Sequence, residues 1–167
     1  TKQHGIAAGP MGLVVRNLAL VPDNDIRAMA VYLASLQPPS NLGEAQRETL
    51  AAKVVTDAAR QAPLPDAAER LFQGSCGACH HDGDGPQLLG VNRPLALNTN
   101  VHSDRPDNLL RIVLEGIQAP ASKDIGFMPS FATTLSDKQL VLLVDGMRAR
   151  YAPDKPPWTS TAQTLAQ

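Results

Sequence analysis

The chain has 167 residues, 43% hydrophobic and 19% charged, with 15 basic against 16 acidic side chains and a formal net charge of −1. That balance provides no basic field for a nucleic-acid backbone, and no apolar run approaches the roughly 18–20 residues of a membrane span. The length fits one ordinary domain, or a small domain with an extension.

The chain begins at Thr1 rather than Met, and Lys2-Gln3-His4-Gly5 has neither the basic nor the apolar region of a signal peptide. That reads as a processed or excised product. Gly9-Pro10-Met11-Gly12 reads as a loop, and Asp23 to Leu36 as a helix with Ile26, Met29 and Leu33 on an apolar stripe. Gln37-Pro38-Pro39-Ser40 closes that segment. Glu44 to Ala62 is Ala-rich with mixed charges and no wide apolar stripe, a linker helix rather polar for a core element.

Pro63-Leu64-Pro65 opens the compact unit, expected over about 65–152. Its first predicted helix, Asp66 to about His80, turns Leu71 and Phe72 inward and ends in Cys76-Gly77-Ala78-Cys79-His80. His81-Asp82-Gly83-Asp84-Gly85-Pro86 is a turn-forming run. A second helix begins around Asp104 to Pro106 and stops at Gly116, with Leu109, Ile112 and Val113 on one face. The third has a capping box, Ser136-Asp137-Lys138-Gln139, a staple of Leu135 with Leu140, and a stripe of Leu140, Leu143, Val144 and Met147. Ala152-Pro153-Asp154-Lys155-Pro156-Pro157 starts a proline-rich tail, 153–167. No alternating strand pattern appears, so the fold class is all-α.

Cys76 to His80 is the C-x-x-C-H signature of covalent haem attachment. Residues at i, i+3 and i+4 share one helical face, so Cys76, Cys79 and His80 can address a single object. The thiols would form thioether bonds to the vinyl groups of one haem c, and His80 would ligate its iron. These are the only two cysteines of the chain, so no disulfide remains. Aromatic content is low, 4%, and a buried haem would supply the large flat apolar body that Phe and Trp usually provide.

Iron in a six-coordinate electron carrier needs a ligand opposite the histidine. Met29 and Met147 lie in helical stripes and read as core packing. Met128 sits instead in Gly126-Phe127-Met128-Pro129, just before the capped third helix and 52 residues after Cys76, where proline stiffens the chain presenting the sulfur. It is the expected sixth ligand. His81 is about 100° round a helix from His80, cannot reach the same iron and reads as solvent-exposed. His4 and His102 read as solvated, although His102 could approach a haem propionate. Arg93 or Arg105 could pair a propionate or remain surface charge. Trp158 could dock on the domain or on a partner.

Two other chemistries compete with electron transfer. An open or displaceable sixth position would make a haem peroxidase or sensor, and Met128 argues against it. Zinc would need two further ligands beside the cysteines, and a redox dithiol would need a βαβ pattern that is missing.

Cys76 to His80, Gly83 to Pro86, Phe127-Met128-Pro129 and the final helix together resemble the monohaem cytochrome c domain over about 65–152. The resemblance implies three main helices around a covalently bound haem, the first and last crossing near its edge. It also implies that the Pro86 carbonyl accepts a hydrogen bond from His80 Nδ1. Leu95-Ala96-Leu97-Asn98-Thr99-Asn100, followed by Arg105-Pro106-Asp107-Asn108-Leu109, resembles the last domain of multi-haem cytochrome c subunits. Those serve periplasmic alcohol or aldehyde dehydrogenases, or molybdenum hydroxylases of the nicotinate or isoquinoline type. It implies a non-enzymatic electron-transfer role, an electron-donating dehydrogenase subunit and a downstream acceptor as partners, and a periplasmic location. Membrane contact would come only through partners or missing parts of a parent chain.

The first forty residues contain an echo of that domain. Val21, Ile26, Met29 and Leu33 match Leu135, Leu140, Leu143 and Met147 at a constant offset of 114 residues, and a loop methionine, Met11 or Met128, lies upstream of each set. Residues 1–40 therefore read as the C-terminal remnant of a preceding cytochrome c domain without a haem motif, 41–64 as a linker helix. The chain would be the end of a longer multi-haem protein.

Overall fold

Two helices approach closely because each has a small residue at the crossing. The first is α4, Asp66–Ser75, and the second is α8, Asp137–Tyr151. Ala68 of α4 is fully buried, and a Cβ built on Gly146 of α8 would lie 3.1 Å from the Ala68 Cβ. A larger side chain at either position would push the pair apart. On either side of the crossing Phe72 packs 6.0 Å from the Tyr151 ring, and Leu140, Leu143, Val144 and Met147 fill the remaining interior. A buried side chain of this size contributes roughly 1.5–3 kcal/mol. Arg150 joins the helices electrostatically: it pairs with Glu69 at 3.3 Å and lies over the Phe72 and Tyr151 rings.

The structure, a computed structural model, describes residues 10–36, 38, 41–60, 64–81, 94–118 and 127–166. In chain order it places α1 at Pro10–Leu18, α2 at Asp23–Ser35, α3 at Glu44–Ala59, then α4 and α5, Gly77–His80. A 3-10 turn at Leu95–Leu97 leads into α6, Thr99–His102, followed by α7, Asp107–Glu115, α8 and a short α9, Thr161–Leu165. No strand occurs among the described residues, in keeping with the all-α expectation; Ile117 and Met128 form an isolated antiparallel bridge.

Several local expectations differ from the structure. The first helix does not run unbroken to His80: it stops at Ser75, and Cys76, at φ −120°, starts the separate turn α5. Gly74, Ser75 and Gly77 are weak helix formers that favour a break there. Met11 lies within α1, not in a loop, because Pro10 takes the first helical position, where its missing N–H costs nothing. Met29 is 38% exposed rather than core, and α2 has no buried residue.

The packing also reaches beyond 65–152 on both sides. Val54 and Ala58 of α3 join the core, where α3 packs on the 3-10 turn. In the tail, Trp158 is buried and its indole N–H donates to the Ser103 carbonyl at 3.0 Å. Arg148, only 2% exposed, stacks on the Trp158 ring at 4.6 Å and donates to the carbonyls of Val101, Ser103 and Pro156. Thr161 Oγ1 donates to Asp145 at 2.6 Å, which seats α9 on α8.

Arg148→Ala removes the stacking surface and strands the Val101 carbonyl, and is expected to cost about 3 kcal/mol. Arg148→Lys, which keeps charge but not the planar fork, should fall between it and the parent. Denaturant unfolding of both variants checks this.

Candidate functional site

The Cys76 backbone terminates one helix and starts the next. Its N–H donates to the Phe72 carbonyl at 2.7 Å, while its own carbonyl accepts from Cys79 N at 3.1 Å and His80 N at 2.9 Å. One turn of backbone thus gathers Cys76, Cys79 and His80, the three residues expected to act together. Cys76 is buried and belongs to the same core as Phe72 and Leu95, whereas Cys79 and His80 are half-buried at its boundary. Burial, with a smaller contribution from Cys79, pushes the Cys76 thiol up to about 11, so it is protonated at neutral pH. A nucleophilic redox cysteine requires the opposite shift. Among the described residues no three His, Cys, Asp or Glu side chains converge to hold a metal ion.

Met128 is half-buried and packs against the core that contains Cys76. The segment carrying it is fastened to the end of α7. Ile117 N donates to Met128 O at 2.8 Å and Met128 N to Ile117 O at 3.1 Å. Gln118 Nε2 adds a 3.3 Å bond to the Met128 carbonyl. The carbonyls of Val113 and Leu114, in the last turn of α7, accept from Phe131 N at 3.1 Å and from Ser130 Oγ. Those are groups a helix cannot satisfy internally, so the methionine segment is the C-terminal cap of α7. Downstream, Ser136 and Gln139 close the predicted capping box, with Gln139 Oε1 accepting from Ser136 N at 2.9 Å. Leu135 packs against the core beside buried Leu140.

The remaining candidates are less directly placed. Pro86, Arg93 and His4 lie outside the described residues. His81 is half-buried rather than fully exposed. His102, half-buried rather than solvated, uses Nε2 in a 2.8 Å hydrogen bond to the Ala96 carbonyl, which fastens α6 to the 3-10 turn. Arg105 pairs with Asp107 at the surface, 3.0 and 2.6 Å, and that bond holds the Asp107 carboxyl below its ordinary value. The anchoring residues Ile117, Ser130 and Phe131 escaped sequence reasoning; only Gly116, a glycine at a helix end, signalled that the chain turns there.

Residues 63–145 match the family described as cytochrome c oxidase, cbb3-type, subunit III. A nicotinate dehydrogenase subunit of Pseudomonas putida is 47% identical over 167 residues, covering 100% of this chain. The matched segment is a cytochrome c-type domain. The cytochrome c subunit of the quinone alcohol dehydrogenase of Gluconacetobacter polyoxogenes is 29% identical over 98% of the chain. The cytochrome subunit of the fructose dehydrogenase of Gluconobacter japonicus is 28% identical over 85% of it. The chain spans only 13%, 35% and 32% of these three relatives' own lengths.

Haem c is the group a cytochrome c-type domain suggests, and the donor chemistry present fits it. Two thiols and an imidazole share one turn, and a neutral thioether packs on the same core. Ser136→Ala, which removes the cap at the start of α8, is expected to cost the cytochrome domain about 1 kcal/mol. Chemical denaturation measures that loss, and the visible spectrum should not change.

Proposed function

We propose that the cytochrome domain carries single electrons through one haem c, covalently held by Cys76 and Cys79, with His80 and Met128 as axial ligands. The supporting observation is that the Cys76–His80 turn and the fastened Met128 segment border one core. When bound, haem c supplies a ferric/ferrous couple. Cys76 and Cys79 anchor the group on one helical face, and His80 presents an imidazole nitrogen from the same turn. The resemblance to the cytochrome c domain gives Pro86 the role of accepting from His80 Nδ1, a contact that would fix the ring orientation. The Met128 thioether, soft and neutral, favours the ferrous state and raises the potential. Three main helices, α4, α7 and α8, would surround the group, as the resemblance implies.

In its setting, the domain is the terminal haem station of a multi-haem cytochrome subunit, receiving electrons from a dehydrogenase and passing them to a downstream acceptor. Similarity to proteins named as nicotinate, quinone alcohol and fructose dehydrogenase subunits supports that partner class. The working location is the periplasm or the periplasmic face of the inner membrane, where haem is attached after export. Residues 1–40 are the end of a preceding cytochrome domain and 41–64 the connecting helix. That reading rests on the repeated apolar pattern, and on the apolar side chains that α2 exposes, Val31 and Leu33 among them. The equivalence of Met11 with Met128 is not carried over, because Met11 stands in a helix.

Met128→Ala is expected to abolish the weak sulfur-to-iron charge-transfer band of the oxidised protein. It should also lower the potential by on the order of a few tenths of a volt, within the ~0.8 V range that axial ligands span. An unchanged potential and spectrum would assign the sixth position to another residue.

A further inference from the structure

Gly116 follows α7 with φ 70° and ψ −168°. That region of backbone space is open almost only to glycine. Space forbids a side chain as well. A Cβ at this position would overlap the Met128 carbonyl oxygen and lie 2.7 Å from the Pro129 carbonyl carbon and 2.8 Å from the Pro129 carbonyl oxygen. All three are backbone atoms, so no rotamer change relieves the contact. Around Gly116 lie the described bonds that fasten the methionine segment: the Ile117–Met128 bridge, Gln118 to the Met128 carbonyl, and the caps on Val113 and Leu114 supplied by Phe131 and Ser130.

We propose that Gly116 is a positioning residue for the Met128 sulfur: its missing side chain and its backbone angles let the ligand segment lie flat against the end of α7. The inference rests on the proposed role of Met128 as an axial ligand. An added methyl would displace Met128 and Pro129 together, because the clash falls on the carbonyl groups of both. The Ile117–Met128 bridge would open, and the thioether would leave the place at which the core holds it. Ser130 acts in the same way but more weakly, since its hydroxyl closes only one carbonyl of the α7 end.

The test compares the haem-loaded wild type with Gly116→Ala, Ser130→Ala and Ser136→Ala. The last lowers stability by removing the cap at the start of α8, away from the end of α7. At equal haem content, Gly116→Ala should lose the sulfur-to-iron band, shift the potential in the same direction as Met128→Ala, and gain carbon monoxide binding when reduced. Ser130→Ala should show the same changes in part, and it decides the matter if Gly116→Ala fails to accumulate. Ser136→Ala should keep the wild-type band and remain inert to carbon monoxide. A wild-type band, potential and inertness in both Gly116→Ala and Ser130→Ala would overturn the positioning role while leaving Met128 as ligand. Equal loss in Ser136→Ala would reduce the effect to general destabilisation and overturn it too. A wild type without any sulfur band would overturn the ligand reading itself.

Discussion

The close approach of α4 and α8 at Ala68 and Gly146 positions the helix that leads into the C-x-x-C-H turn. Helix axes come this near only where the facing side chains are small, and here one of them is only a hydrogen atom. The crossing sets Phe72 against Tyr151 and Arg150 against Glu69, so aromatic, cationic and apolar contacts all report on one geometry. Because α4 leads directly into Cys76, the crossing also fixes where the Cys76–His80 turn begins. The apolar stripe of α8 supplies the other wall of that core.

The second half of the site is held by backbone rather than by packing alone. Helix ends carry unsatisfied carbonyls, and the end of α7 satisfies two of them with the segment that bears Met128. One set of bonds therefore serves two purposes, closing a helix and fixing a thioether. The proposed ligand role of Met128 needs such restraint, because methionine itself is the most flexible of the apolar residues. The two halves share little sequence but one core, which is why residues 52 apart can be read as one site.

Much of this could be read from the sequence where local signals agreed. The α8 helix combined a capping box, a staple and a stripe, and its start and buried residues followed from them. The C-x-x-C-H spacing placed three donors on one turn without any knowledge of the fold. Where signals were weak or competing, the reading failed for identifiable reasons. Gly9-Pro10 looked like a loop, yet proline is at home in the first turn of a helix, and α1 uses it so. The stripe on α2 suggested a buried Met29, but patterning states only that a face is apolar, not that something covers it. In α3 the inward surface consists of little more than Val54 and Ala58, too narrow a stripe to stand out among charged neighbours. The clasp of Arg148 and Trp158 joins residues whose partnership exists only after the chain has folded.

A single covalently held haem with histidine and methionine ligands has a distinctive optical signature. The decisive spectrum is that of the protein produced in a host that attaches haem to exported C-x-x-C-H sequences. Narrow c-type bands on reduction are expected, with a chromophore that stays with the denatured chain, a weak sulfur-to-iron band when oxidised, and no response to carbon monoxide. Broad high-spin bands that shift with carbon monoxide, or a protein without visible absorption, would contradict the proposed site.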